Sequence, residues 1–415
     1  MWGRANYFVR KLRRPQNQPR QNRHSPRNHP TRPQNPPPIP PPANVPPPTS
    51  LSSAIQAPVS IEQLAQAEAA RVEEYFSRDR DHFEYERFLS NGLTGVSCKI
   101  RLISDSGRPG SQYFVVKRPI LRADDRKMKA EVDLLKIFRG SNHFLQLFYV
   151  PNGVENPIEA APGTTIISEW IENGTLMQLI LRKGDHQLPN RILIEFFFCP
   201  VDEWPSQVVS FCIGMAWPSR GDKGAQPQQE RIPENSEERE NKEQIAHNDM
   251  HCENGGLDTE GDWHTLVPIL KLIDFDIAGV VRCAPGANKG VSRNIYAIGM
   301  VMRSLIAGDL SQVPEPAAMV TIKVGKDLPD KTFSTNGPDI TPDNYINLDE
   351  DIANLVQWCL ASNWGDRPSI ENLYAALQDL KARATPGRYA NYVGGEDEYD
   401  SQIRKIVQRL ILDAN

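Results

Sequence analysis

The spacing of apolar residues changes along the chain from helical to strand-like and back to helical. From Ile61 to Phe76, apolar positions recur every three or four residues, which predicts a helix. Strands are predicted at Val96–Ser104, Gln112–Lys117, Phe144–Val150 and Thr164–Trp170, with a helix at Asp124–Phe138 among them. Further helices are predicted at Leu176–Lys183, Arg191–Ala216, Asn294–Ala307, Ile352–Ser362 and Ile370–Leu380. Strands followed by helices indicate an α+β fold with segregated parts.

Polar stretches interrupt and flank these elements. Residues 217–244 and 311–347 predict loops, the first of them a mobile polar insertion, and Ser401–Ala414 predicts an amphipathic helix. Residues 1–60 contain 15 prolines and predict a disordered, extended tail that could dock an SH3- or WW-type domain. We therefore divide the chain into a tail (1–60), an N-terminal helix (61–83), a main domain (84–382, with 84–170 and 171–382 as its two parts) and a C-terminal tail with the amphipathic helix (383–415).

Charge separates the tail from the rest of the chain. The first 60 residues carry nine arginines and lysines and no acidic residue, so a net charge of −5 for the whole chain leaves −14 for the remainder. Such a tail on an acidic body points to contact with an acidic partner, nucleic acid or a membrane surface, and of these we do not expect nucleic acid. The six cysteines form no C-x-x-C pair, and no apolar run reaches the ~18 residues of a membrane span. We expect a cytoplasmic or nuclear protein.

Four segments carry residues suited to handling a triphosphate. Phosphoryl transfer needs a cation for the phosphates, oxygen ligands for Mg²⁺ and a carboxylate near the accepting hydroxyl. Lys117 ends an apolar strand, and Glu131 follows it by 14 residues in a predicted helix. Asp249 precedes Asn254 by five residues, and Asp274 ends a second apolar strand. Each residue alone has an ordinary interpretation, as a strand-end lysine or a loop-capping Asx residue.

The order and spacing of these segments resemble the protein kinases from about Phe88 to Leu380. The matching motifs are Phe114-Val115-Val116-Lys117, Glu169-Trp170-Ile171, Asn248-Asp249-Met250-His251-Cys252-Glu253-Asn254, Ile273-Asp274-Phe275-Asp276 and Asp366-Arg367-Pro368. The resemblance implies a two-lobed fold, with a small β-rich lobe containing one helix and a larger helical lobe. It also implies that ATP and Mg²⁺ bind between the lobes.

The resemblance assigns roles to individual residues. Asp249 would face the accepting hydroxyl, while Lys117, held by Glu131, would contact the phosphates. Asn254 and Asp274 would bind Mg²⁺. Gly92 and Gly95 would lie in the phosphate-binding loop, and the backbone near Glu169 and Ile171 would bind adenine, with Ser168 beside it.

The sequence departs from the kinase pattern in several places. Asn248 replaces the catalytic-loop arginine, Gly256 the leucine beneath adenine, and Asn294 the aspartate of the helix after the activation segment. Only 20 residues separate Asp274 from Asn294, which is short for a segment that grips a peptide. Asp276 stands where kinases have glycine, as in kinases of the aminoglycoside and choline type, and is a candidate third metal ligand.

These features give one first interpretation and two alternatives. The first is an ATP-dependent phosphotransferase acting on protein Ser or Thr hydroxyls. The second is a catalytically weak pseudokinase that serves as a nucleotide-binding or scaffold module for protein partners. The third is a small-molecule kinase.

Overall fold

The computed structural model describes residues 60–78, 80–81, 83–92, 95–103, 112–148, 164–197, 207–218, 230–258, 266–282, 288–311, 313–323 and 330–413. The chain divides after Ser60, and Ile61–Asn415 forms one unit. The predicted disorder of the proline-rich tail and its docking to SH3- or WW-type domains concern residues outside the described ranges. No helix among the described residues is long and apolar enough to cross a membrane.

An antiparallel four-stranded sheet occupies the first part of this unit. Its strands are β1 (Phe83–Asn91), β2 (Gly95–Leu102), β3 (Gln112–Pro119) and β4 (Ile166–Glu169), in the order β1-β2-β3-β4. Helix α1 (Ile61–Phe76) precedes the sheet, and helix α2 (Asp125–Ile137) lies between β3 and β4 in sequence. Strand β1 was not predicted, because its charged and exposed middle hides the alternation of a half-buried strand.

The two faces of this sheet pack against different partners. Cys98, Val116 and Ile167 are aligned across neighbouring strands and form a core with α1. The apolar residues of α1 recur at helical spacing, at Ala65, Ala69, Val72 and Phe76, which gives the helix one buried face. Lys117 and Ile166 point to the other face, where Ile166 joins the core that contains Met128 and Leu135 of α2.

The second part is mainly helical. Its helices are α3 (Leu176–Lys183), α4 (Asn190–Phe197), α5 (Gln207–Ala216), α6 (Ser236–Glu240), α7 (Lys289–Ala307), α8 (Glu350–Cys359), α9 (Ile370–Arg383), α10 (Pro386–Tyr389) and α11 (Asp400–Val407). Three small antiparallel pairs accompany them: β5 (Ile245–Ala246) with β8 (Gly279–Val280), β6 (Gly255–Asp258) with β7 (Ile269–Leu272), and β9 (Ala318–Ile322) with β10 (Lys331–Thr335). The predicted α+β class is confirmed.

Short helical turns complete the backbone. Arg122–Asp124, Cys252–Asn254 and Gly395–Glu398 are 3₁₀ turns, and Gln408–Leu412 is a π-helical turn that continues α11. The amphipathic helix predicted near the C-terminus is confirmed, because Ile403, Val407, Leu410 and Ile411 are buried. The side chain of Arg182 on α3 also donates a hydrogen bond to the carbonyl of Leu410.

The strand predicted at Phe144–Val150 is wrong for its described residues, 144–148. Phe144 and Leu147 form only isolated bridges. The side chain of Gln146 donates to the carbonyls of Ser141 and Phe144 at 2.8 Å and accepts from the amide of Gly140. The side chain of Gln146 therefore fixes the turn that precedes this segment, while the amide of Phe148 donates to the carbonyl of Ile167 on β4.

The helix predicted at Arg191–Ala216 is confirmed for the residues that the structure describes at its two ends, 191–197 and 207–216. Helix α4 ends at Phe197 and α5 begins at Gln207. Pro200 and Pro205, at which the sequence predicts a kink, fall in the undescribed interval between them.

Both predicted loops contain ordered elements. The 217–244 insertion includes α6 and a buried Glu230, which contacts Nδ1 of His143 at 2.6 Å. The 311–347 segment includes the β9–β10 pair. Arg303, 4 % exposed, binds Asp309, Glu315 and Asp339, so one buried cation draws together acidic residues that looked like loop residues in the sequence.

Candidate functional site

The structure brings Lys117, Glu131 and Asp274 together on the α2 side of the sheet. The Nζ atom of Lys117 lies 3.1 and 3.0 Å from the two carboxylate oxygens of Glu131. The same atom lies 2.6 Å from Oδ1 of Asp274. Glu131 is 2 % exposed, whereas Asp274 retains 39 % exposure of its side chain. The site therefore has a buried carboxylate that holds the lysine and an accessible carboxylate beside it.

Electrostatics keep Lys117 protonated in this position. Burial alone would lower the pKa of Lys117, but the charges of Glu131 and Asp274 outweigh burial and raise it above its ordinary value. A lysine that stays charged can neutralise an anion that enters from the side of Asp274.

The backbone at Asp274 adopts an uncommon conformation. Its φ is 61°, in the left-handed region that residues other than glycine occupy rarely. The next amide, that of Phe275, donates to Glu131 at 3.3 Å. Glu131 thus holds both the lysine and the backbone after Asp274. Strained residues of this kind cost about 1–3 kcal/mol and tend to cluster at functional sites.

His247 contacts the backbone just before Asp274. It is fully buried, its Nε2 lies 3.2 Å from the carbonyl of Ile273, and its ring packs edge-on against Phe275. Burial lowers the pKa of His247 to about 4, so the ring is neutral near pH 7. A neutral ring can donate its Nε2 proton to the carbonyl of Ile273, which fixes the peptide that precedes Asp274.

A second group consists of Asp249, His251 and Asn254, in the loop before β6. The side-chain amide of Asn254 donates to the carbonyl of Asp249 at 2.9 Å and to its Oδ2 at 3.3 Å. Nε2 of His251 lies 3.5 Å from the same Oδ2. Asp249 retains 41 % exposure, so its carboxylate is oriented by Asn254 and still reaches solvent. Because Asn254 donates through its nitrogen, its amide oxygen is the atom suited to a metal ion.

Asn294 anchors this loop to α7. Its Oδ1 accepts from the amide of His247 at 3.1 Å, and its Nδ2 donates to the carbonyl of Ile245 at 2.8 Å. A carboxylate in this position could accept the first bond but could not donate the second. Asn294, a departure from the kinase pattern, therefore fits the backbone that surrounds it.

The segment around Glu169 is fixed by a buried cation. Nζ of Lys271 lies 2.6 Å from Glu169 and 2.8 Å from Asp258, and its side chain is 7 % exposed. The amide of Glu169 donates to the carbonyl of Gln146 at 3.1 Å. These contacts join β4 to the β6–β7 pair. Lys271 and Asp258 were not predicted as site residues; the available signal was a lysine inside the apolar run of β7.

Ile171 covers Gly256. A Cβ atom at Gly256 would lie 2.8 Å from Cδ1 of Ile171, so the isoleucine occupies the volume that a side chain at position 256 would need. An apolar surface is therefore present beside the segment predicted to bind adenine, although the predicted leucine position is glycine.

The two predicted loop glycines differ in their surroundings. A Cβ at Gly95 would lie 2.5 Å from the carbonyl oxygen of Arg118, whereas one at Gly92 would meet no atom within 4 Å. Gly92 donates its amide to the carbonyl of Gly95, which closes the β1–β2 turn. Gly95 is required by the close approach of β3. Asp276, the candidate third metal ligand, is half-buried two residues after Asp274.

The comparisons with known proteins add no family to this geometry. The chain matches no family model, and a search of curated proteins finds no match either. Within the described residues, no three His, Cys, Asp or Glu side chains could hold a metal ion by themselves. A Mg²⁺ ion bound by Asp274 and Asn254 would need phosphate oxygens or water to complete its coordination.

Proposed function

We propose that this chain has a two-lobed, protein-kinase-like fold and is an ATP-dependent phosphotransferase that acts on Ser or Thr hydroxyls of a protein. One observation carries the proposal. Lys117 pairs with the buried Glu131 and at the same time with the accessible Asp274, 157 residues later in the chain. A purely structural ion pair does not need a second, exposed carboxylate or the strained backbone found at Asp274.

The residues fit ATP and Mg²⁺ as substrate and metal. Lys117 supplies a cation for the phosphates, and Asp274 and the amide oxygen of Asn254 supply the hard oxygen ligands that Mg²⁺ prefers. Mg²⁺ would neutralise charge on the phosphates. The backbone near Glu169 and Ile171, together with the apolar surface of Ile171, is the proposed adenine site.

Asp249 is the proposed catalytic carboxylate. The hydroxyl oxygen of the acceptor forms the new bond to the γ-phosphorus, the bond from this phosphorus to the ADP oxygen breaks, and Asp249 takes up the hydroxyl proton. Asn254 and His251 orient this carboxylate. Its exposure allows a large acceptor to approach.

The proposal is tested first by nucleotide binding. Mg²⁺·ATP at a concentration about 100 times its Kd should stabilise the protein by about 3 kcal/mol in thermal unfolding. Lys117→Met and Asp274→Asn should remove this stabilisation and reduce phosphoryl transfer by at least about 100-fold. Lys136→Met removes an exposed lysine of α2 that pairs with the exposed Asp133, and it should behave like the unchanged protein.

Two outcomes would contradict the proposal. Equal stabilisation by Mg²⁺·ATP in the Lys117 and Lys136 variants would show that Lys117 does not contact the nucleotide. Transfer that persists unchanged in Asp249→Asn would show that this carboxylate is not catalytic.

A pseudokinase is the second candidate, and the short segment after Asp274 favours it. Only 14 residues, 275–288, separate Asp274 from the start of α7 at Lys289, which leaves little chain for a peptide platform. Nucleotide-dependent stabilisation without transfer to any protein would support this alternative. The small-molecule kinase depends on Asp276, so transfer to amino-alcohol substrates that Asp276→Gly abolishes would support that interpretation.

A further inference from the structure

Three exposed cations follow the catalytic-loop region in sequence: Arg282, Lys289 and Arg293, here called the basic strip. None of the three forms an ion pair with an acidic residue in the described part of the chain, and each is exposed. Arg303, further along the same helix α7, is instead buried among three carboxylates. The first turns of α7 therefore carry open positive charge, although the body of the chain is acidic.

Gln244 brings the parts of the strip together. Its backbone carbonyl accepts from the amide of Val281 at 2.7 Å, next to Arg282. Its side-chain oxygen accepts from the amide of Gly290 at 3.1 Å, next to Lys289, and its side-chain nitrogen donates to Asn288. Lys289 and Arg293 are four residues apart on α7 and so lie on one face.

The strip reaches the proposed catalytic carboxylate through Asn248. Arg293 donates to Oδ1 of Asn248 at 3.5 Å, and Asn248 directly precedes Asp249. The side-chain nitrogen of Asn248 donates in turn to the carbonyl of Ile277 at 3.0 Å. Ile277 and Val280 are 49 % and 66 % exposed. The surface beside Asp249 thus combines apolar residues with cations that form no ion pair within the described ranges.

The position of these cations is unfavourable for the helix itself. The N-terminus of a helix carries partial positive charge, and cations in its first turns are repelled. Helix α7 has no acidic residue in its first turn, and Asn288 makes no side-chain capping bond. An anion bound at the strip would relieve this repulsion, so the local electrostatics favour an acidic ligand.

We propose that the basic strip binds acidic residues of a protein segment and presents a neighbouring Ser or Thr hydroxyl to Asp249. The inference rests on the proposed phosphotransferase function and names its substrate class. Acidic side chains pair with the cations, while apolar residues of the same segment pack on Ile277 and Val280.

The test compares two peptides that differ only in charge. One contains a Ser flanked by Glu residues, and the other has Gln at the flanking positions. We expect a KM for the Glu peptide that is lower by about 10-fold, and Lys289→Gln/Arg293→Gln should remove this difference with kcat changed less than about twofold. The matched control, Arg404→Gln/Lys405→Gln, removes two exposed cations from α11 and should leave the difference intact.

Binding of the fluorescein-labelled Glu peptide separates failure of this inference from failure of the proposed function. If the protein transfers phosphate but both peptides have equal KM and Kd, the basic strip does not bind acidic segments. The proposed phosphotransferase function would then be unaffected. If no transfer occurs but the Glu peptide binds, and Lys289→Gln/Arg293→Gln weakens its binding, the basic strip does bind acidic segments. The proposed phosphotransferase function would then be wrong. If an RNA homopolymer binds the strip more tightly than the Glu peptide, the proposed ligand class is wrong.

Discussion

Lys117 and Arg118 are consecutive residues of β3, and each pairs with a buried glutamate of a different helix. Lys117 pairs with Glu131 of α2, and Arg118 pairs with Glu68 of α1 at 2.7 Å. The Arg118 pair is nearly sealed, with side chains 9 % and 6 % exposed. Lys117 has in addition the accessible Asp274. An ion pair between a strand and a helix therefore attaches α1 to the sheet on one face. On the other face, the same type of pair belongs to a site that is accessible to solvent through Asp274.

The difference follows from strand geometry. Consecutive side chains of a strand point to opposite faces, so a run of two basic residues must serve two environments. On the α1 face, Arg118 also donates to Oγ1 of Thr165, and apolar residues surround the pair. On the α2 face, the charge of Lys117 remains available to a ligand. The exposed second partner of Lys117, Asp274, is what distinguishes this pair from the sealed pair of Arg118 and Glu68.

The largest expected effect on stability comes from breaking the sealed pair. Glu68→Gln removes the carboxylate that pairs with the buried Arg118 cation and should lower the free energy of unfolding by about 3–5 kcal/mol. Glu131→Gln should cost less, because Lys117 keeps Asp274 as a partner, but it should weaken Mg²⁺·ATP-dependent stabilisation. Chemical denaturation of both variants measures the contrast.

Glu74→Gln supplies the control for this prediction. Glu74 lies on the same helix and forms an exposed pair with Arg78, so its loss should change stability by less than about 1 kcal/mol. A cost at Glu68 no greater than that at Glu74 would mean that the Arg118 pair does not hold α1 to the sheet.

The second-largest expected effect is a loss of stability at acidic pH, caused by His247. Below its ordinary pKa of 6.5, unfolded His247 takes up a proton that the folded site excludes until about pH 4. The unfolded state then binds more protons, so the free energy of unfolding should fall by about 3 kcal/mol as pH drops from 6.5 to 4. This contribution is complete above pH 6.5.

Denaturation of the unchanged protein and of His247→Asn across this pH range measures the effect of His247. The asparagine variant should lose the part of the pH dependence due to His247 while retaining that of the carboxylates. Parallel pH profiles for the two proteins would show that His247 is not held neutral beneath Asp274.

The smallest effect distinguishes the two loop glycines. Gly95→Ala forces a Cβ toward the carbonyl of Arg118 and should lower stability by about 1–3 kcal/mol. Gly92→Ala enters open space and should change stability by less than about 0.5 kcal/mol. Equal costs at the two positions would show that β3 does not approach β2 as closely at Gly95 as the structure has it.

Periodic elements were predictable from the sequence. Helix α2, helix α3 and strands β2 to β4 were found within a few residues, because apolar spacing and turn residues are local signals. The Lys117, Glu131 and Asp274 group was chosen from order and spacing, and the structure brings these side chains together. Their proposed roles in phosphoryl transfer remain predictions.

Other features depended on the tertiary structure, because their signals are not local. Gln146 bonds backbone groups of its own loop, and the buried cations Lys271 and Arg303 pair with acidic residues as distant as Glu169 and Asp339. The spacing of apolar residues along the chain does not predict such contacts. The sequence alone determined where helices and strands can form and which polar residues stand at their ends. Only the folded chain decided which of those charges are sealed and which stay open, because burial depends on residues that meet from distant parts of the sequence.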